Sequence, residues 1–212
     1  MKIFIAGGTG RVATELIKNL VKDGHEVIAG SRKPENVTGS SQVTPVKLDL
    51  HADATEIAKI MGNVDAVYFT AGSRGSDLLQ TDAFGAVKVM QAAEQNHVSR
   101  FVMLSSVFSL EPKEWHQKGL DGIPDYNIAK FFADNYLISN TKLDYTILQP
   151  TNLVEEPGTG KITIDAGKIA TNSIANVGLV LADILKFDNT IDQVIKMRDG
   201  ETDIETALAQ VK

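Results

Sequence analysis

The stretch Lys2-Ile3-Phe4-Ile5-Ala6-Gly7-Gly8-Thr9-Gly10-Arg11-Val12-Ala13-Thr14-Glu15-Leu16-Ile17 decides the fold. Ile3–Ala6 is a short apolar run that reads as a strand, and a helix is expected over about residues 11–22. Between them Gly7, Gly10 and Ala13 stand at the spacing G-x-x-G-x-x-A. Gly7 allows a tight turn, Gly10 lets backbone N–H groups approach a pyrophosphate, and Ala13 lets the helix pack on the strand. The positive end of the helix then faces the phosphates. Thr9, Arg11 and Val12, interleaved with these small residues, are the further contacts expected from this turn. An ordinary glycine turn is the competing reading. The strand before it and the helix after it favour a dinucleotide site.

Outward from this turn, apolar runs recur at Val27–Ala29, Val46–Leu48, Ala66–Phe69, Phe101–Leu104 and Tyr145–Leu148. Helical stretches are expected at about 54–61, 78–96, 125–139 and 174–185, with a late strand near Val194–Met197 and a last helix near Ile204–Leu208. Asp53 followed by Glu56 is a capping-box signal for the helix at 54–61. Near-continuous apolar runs mean strands covered on both faces. The expected fold is therefore α/β, a doubly wound, mostly parallel sheet with helices on both faces (a Rossmann fold) and a small C-terminal elaboration, in one domain spanning 1–212. Segments 107–123 and 151–173 lack periodicity and follow strand ends, which is the ligand edge of an open sheet, so they are expected as loops forming a substrate pocket.

The second strand ends Ala29-Gly30-Ser31-Arg32-Lys33, where a carboxylate for a ribose 2′-hydroxyl would stand in an NAD-selecting protein. Ser31 can donate a hydrogen bond, and Arg32 and Lys33 can grip a 2′-phosphate, so NADP is expected over NAD. A solvated basic turn is the bland alternative. Asp49 and Leu50 end the third strand and are candidates for the adenine, although Asp49 also suits a plain turn. Ala71, Gly72 and Ser73 after the fourth strand let backbone lie close to a ribose or diphosphate.

Composition narrows the classes further. Of 212 residues 43% are hydrophobic and 23% charged, as in an ordinary globular domain. A net charge of -6 without Lys or Arg runs argues against a nucleic-acid partner. The absence of cysteine excludes disulfides and thiolate chemistry, and His25, His51, His97 and His116 lack ligand spacing, so no metal is expected. The apolar N-terminal run is too short for a signal core, making a cytoplasmic chain without membrane contact the expectation.

The glycine turn, Phe101-Val-Met-Leu-Ser-Ser106, Tyr126-Asn-Ile-Ala-Lys130 and Leu143-Asp-Tyr-Thr-Ile-Leu-Gln-Pro-Thr-Asn-Leu153 together resemble the short-chain dehydrogenase/reductase superfamily. Within it the chain is similar to the atypical branch of small NAD(P)-binding, epimerase- or reductase-like proteins. The resemblance spans nearly the whole chain. It implies that Pro150, Thr151, Asn152 and Leu153 lie beside the nicotinamide. It also implies that Tyr126 is the acid or base, with Lys130 lowering its pKa and binding the nicotinamide ribose, and that Ser105 or Ser106 holds a substrate carbonyl oxygen. Ser106, farther out along the strand end, is preferred for that role and Ser105 for cofactor contact. Two positions depart from the pattern: Asp82 stands where many members place the Asn of a proton relay, and Gln149 where relatives often have Arg. In the competing reading Tyr126 packs and Lys130 binds only cofactor.

Phe108, Leu110, Trp115, His116 and Leu120 are an apolar set that either closes over the nicotinamide or packs its own loop. With no arginine cluster for a phosphorylated substrate, a small carbonyl, quinone or flavin-like compound is expected for an NADP(H)-dependent oxidoreductase. The alternative is a non-catalytic NADP(H) sensor. A homodimer is the base-rate expectation for the superfamily.

Overall fold

A computed structural model describes residues 1–164 and 167–212. Its strands are β1 (Lys2–Ala6), β2 (Glu26–Ser31), β3 (Val43–Lys47), β4 (Ala66–Phe69), β5 (Arg100–Leu104), β6 (Asp144–Pro150), β7 (Asn152–Val154), β8 (Lys161–Ile164), β9 (Thr171–Ser173), β10 (Gln193–Asp199) and β11 (Thr202–Asp203). Its helices are α1 (Arg11–Lys22), α2 (Ala54–Met61), α3 (Phe84–Gln95), α4 (Pro124–Asn140), α5 (Ile174–Asp183) and α6 (Ile204–Leu208).

Among the described residues nine strands form one sheet in the order β11-β8-β10-β6-β5-β4-β1-β2-β3. From β10 to β3 all neighbours are parallel, whereas β8 pairs antiparallel with both β10 and β11. Strand order reverses between β1 and β4, so a crevice opens past Ala6 and Phe69, which are register partners. The alternation along β1 explains why the run Ile3–Ala6 is apolar throughout. Ile3 and Ile5 join the core under α1 and α5, while Phe4 and Ala6 join the core under α2, α3 and α4. Gly178 lets α5 press against α1: a Cβ there would lie 2.5 Å from the Glu15 Cβ. Tyr68, fully buried on β4, donates its hydroxyl to the Leu181 carbonyl at 2.8 Å.

The expected helices and strands are present, with shifts at their ends. The Asp53 side chain caps α2 by accepting from the Glu56 amide at 2.8 Å. β3 begins at Val43, ahead of the apolar pair that signalled it. The helix expected at 78–96 opens as a π turn, Leu78–Ala83, before α3.

The larger difference concerns 151–173. This stretch carries β7, β8 and β9 and is not a plain loop; residues 165–166 of the expected segment lie outside the described residues. β7 and β9 form a small parallel pair, and β8 extends the main sheet. Polar side chains hold the segment together in place of apolar periodicity. Asn172 Oδ1 accepts from the Thr151 amide at 2.7 Å and its hydroxyl at 2.8 Å, and Asn176 Nδ2 donates to Asp199 at 2.7 Å. Among the described residues no helix is long and apolar enough to cross a membrane.

Candidate functional site

At the carboxyl ends of the central strands lies a cleft of about 930 Å³, and Gly7, Thr9, Gly10, Arg11 and Val12 line it. Gly7 sits at φ +99°, and a Cβ on it would come within 2.5 Å of the Ala71 amide nitrogen, so the turns after β1 and β4 touch only because this residue is glycine. Gly10 caps α1 without any side-chain bond, and the first turn of α1 holds no acidic residue. The leading amides of α1 thus face the cleft without a competing cap or carboxylate on their own helix, which suits an anionic diphosphate.

At the β2 end, Ser31 and Arg32 line the cleft. The Ser31 Oγ lies 3.0 Å from the Thr9 Oγ1 and accepts from the Lys33 amide at 3.2 Å. Lys33 is exposed and does not line the cleft: the chain turns at once into the 3-10 turn Pro34–Asn36. Asp49 and Leu50 line the cleft, and Asp49 Oδ1 accepts from the His51 amide at 2.9 Å, the turn bond that the bland reading foresaw. His51, Arg74 and Thr81 also line this end, and none was singled out from sequence. His51 Nε2 lies 2.7 Å from Asp77, whose carboxyl is held below its ordinary range first by that bond and next by the Thr81 hydroxyl. These residues come from three separate turns, so no local spacing announces them.

Ala71, Gly72 and Ser73 form the wall after β4. Asp82, fully buried, accepts from the Ser73 amide at 3.0 Å, while its Oδ1 and the Ser73 Oγ have no partner among the described residues. Unpaired buried polar atoms beside a cleft are costly unless a ligand or water completes them. Together with the uncapped α1 and the Gly7–Ala71 approach, they fit a dinucleotide in this cleft.

The far end brings together Ser105, Ser106, Tyr126, Lys130, Pro150 and Leu153. Tyr126 lies in the first turn of α4 and Lys130 one turn on, so both project from one face. Lys130, 3% exposed, donates to the Leu104 carbonyl at 3.1 Å and stands 5.8 Å from the centre of the Tyr126 ring. Ser105 gives its hydroxyl to Asp134, whereas the Ser106 hydroxyl has no bond among the described residues, leaving Ser106 the freer of the two. Thr151 and Leu153 line the cleft and the exposed Asn152 does not, because successive side chains on β7 alternate sides.

Segment 107–123 contributes nothing to the lining, against expectation. Phe108 adopts φ +58° and packs with Val107, Leu120, Trp115 and Ile169, and the Trp115 indole donates to the Phe108 carbonyl at 2.8 Å. The aromatic set thus closes its own loop, and among the described residues of 151–173 only Thr151 and Leu153 reach the cleft.

A family model described as NAD(P)H-binding matches residues 7–188. Among solved structures, the oxidoreductase ylbE of Lactococcus lactis is 45% identical, with a TM-score of 0.95 over 98% of this chain and 95% of that one. The uncharacterized sugar epimerase YhfK of Bacillus subtilis is 30% identical over 223 residues, the full length of both chains. A short-chain dehydrogenase/reductase of Veillonella parvula in complex with NADP shares the fold at 18% identity, with a TM-score of 0.79 over 95% of each chain. Matched over residues 7–188, from its glycine turn to the first residue of the 3-10 turn Asp188–Thr190, the chain belongs to the NAD(P)H-binding family of Rossmann-type proteins.

Proposed function

We propose that this chain is an NADP(H)-dependent oxidoreductase acting on a small carbonyl, quinone or flavin-like compound. The observation that carries the reading is the convergence of Ser106, Tyr126 and Lys130 on the same cleft as the glycine turn of β1. The bound nicotinamide supplies the hydride; every other task falls to the chain. The α1 amides and Gly10 hold the diphosphate. Lys130, anchored on the Leu104 carbonyl, binds the nicotinamide ribose. Ser106 holds the substrate oxygen, and Tyr126 delivers the proton that accompanies reduction.

The choice of NADP is supported by the β2 end, where Ser31 and Arg32 line the cleft and the acid that lines it beside them, Asp49, is tied to the His51 amide. The test is consumption of NADPH against a panel of quinones, flavins and aldehydes by wild type and Tyr126→Phe. Turnover in wild type, reduced about 10²–10⁴-fold in the variant with NADPH affinity retained, is the expected result. Tight binding with no turnover on any compound would move the reading to a redox sensor. Turnover indifferent to Tyr126 would remove the tyrosine from the mechanism.

A further inference from the structure

Behind the Ser105 wall lies a buried polar cluster that the proposed chemistry leaves unused. Asp134 is fully buried on α4, one turn beyond Lys130 and on the same face. Its Oδ2 accepts from two hydroxyls at once, Ser105 Oγ and Ser109 Oγ, each at 2.5 Å. Gln149 of β6 donates to Ser109 Oγ at 2.7 Å. Ser109 and Gln149 are buried as deeply, at 2% and 1% exposure, and of the four only Ser105 reaches the cleft.

The hydrogen bonds run in one direction up to the carboxyl. Gln149 donates to Ser109, Ser109 donates to Asp134, and Ser105 then donates back into the same oxygen from the cleft side. A serine hydroxyl has a single proton. While Asp134 is ionised, Ser105 spends that proton on Oδ2 and offers the cleft only lone pairs. With a proton on Oδ2, the carboxyl donates to Ser105 Oγ, and the serine proton turns toward the cleft. The chain of donors then runs unbroken from Gln149 to a ligand.

We propose that Asp134 is a positioning residue for the cleft: whether it carries a proton sets whether Ser105 donates to a ligand carbonyl or only accepts. The inference rests on reading the cleft as a nicotinamide dinucleotide site. Two features favour a protonatable acid. Asp134 Oδ1 and Gln149 Oε1 both lack a partner among the described residues, and an unpaired oxygen costs more on a buried carboxylate than on a neutral acid. Burial pushes the Asp134 carboxyl up to about 6, against the pull of the Ser105 and Ser109 hydroxyls, the Lys130 charge and the Gln149 amide. Lys130 is the charged group acting on it and is itself bonded to the Leu104 carbonyl; the groups facing it from β5, the following turn and β6 are the neutral Ser105, Ser109 and Gln149.

The experiment measures dissociation constants of NADP+ and of 2′-phospho-ADP-ribose, which keeps the 2′-phosphate and the diphosphate but lacks the nicotinamide, across pH about 5 to 8 in wild type, Asp134→Asn and Ser105→Ala. The 2′-phosphate itself titrates in this range, so the ratio of the two constants is the quantity read. In wild type the preference for NADP+ should grow roughly threefold to tenfold as pH falls through the Asp134 transition, the worth of one hydrogen bond to a carbonyl. Asp134→Asn, whose amide donates to Ser105 as the neutral acid would, should hold the high preference at every pH. Ser105→Ala should hold the low one, and it keeps the test open if the Asn variant folds poorly. A flat ratio in wild type, or the wild-type pH profile persisting in either variant, overturns the proposal. Failure of both ligands to bind at any pH sinks the dinucleotide reading and the proposal with it, whereas binding with a flat ratio sinks the proposal alone.

Discussion

Arg11 Nη1 and Glu155 Oε1 lie 2.9 Å apart, joining the first residue of α1 to the residue that follows β7 across the mouth of the cleft. Both side chains are well exposed, at 50% and 69%, so the pair contributes little to folding. Its consequence is for binding, because Arg11 also lines the space where an anionic diphosphate fits and Glu155 competes for its charge.

Glu155→Gln therefore leaves stability within about 0.5 kcal/mol of wild type and tightens NADPH binding a few-fold at low salt. Fluorescence titration at two ionic strengths checks this, and the gain should shrink as salt screens Arg11. Weaker binding in the variant would mean that Glu155 assists the ligand.

The Tyr68 hydroxyl serves the fold alone. It is bonded to the Leu181 carbonyl between β4 and α5, and burial pushes its ionisation far above the ordinary tyrosine range, so it stays neutral. Tyr68→Phe should cost about 1 kcal/mol in denaturant unfolding, with an unchanged slope and unchanged NADPH affinity. An affinity change would show that the β4 and α5 packing reaches the cleft.

Asp134 makes stability depend on pH in a direction opposite to most carboxylates. Its folded value of about 6 lies above the ordinary 3.8, so the folded chain binds the proton more tightly than the unfolded one. The associated stability is fully present below about pH 4 and is lost as pH rises through about 6, a change of order 3 kcal/mol at most. The measurement is the difference in unfolding free energy between wild type and Asp134→Asn at pH 4, 5, 6 and 7. Wild type should lose ground relative to the variant as pH rises over that window. A constant difference would mean that the buried carboxyl titrates as it does in the unfolded chain.

The sheet and its glycine turn were legible because their signals are local. Ile3–Ala6 fills both faces of the sheet, and Gly7, Gly10 and Ala13 stand at fixed offsets in one turn. Tyr126 and Lys130 were legible for the same reason, one helical turn apart. What escaped is assembled across the chain. His51, Arg74 and Thr81 meet from three turns, and Asp134 acquires its character only from burial beside Ser105, Ser109 and Gln149. The strands β7, β8 and β9 are three or four residues long and held by Asn172, Asn176 and Asp199, so neither period two nor an apolar run marks them. Asn152 and Lys33 are neighbours in sequence of lining residues, and strand alternation and the Pro34 turn place them outside the lining itself.

The most direct test is a calorimetric titration of wild type and Arg32→Ala with NADPH and NADH. The expected result is one site per chain, NADPH bound at least about tenfold more tightly than NADH, and a preference largely lost in the variant, as for one charge-assisted contact to the 2′-phosphate. Equal affinities in wild type, or a preference for NADH, would contradict the assignment of Ser31 and Arg32, and no binding of either would contradict the reading of the cleft itself.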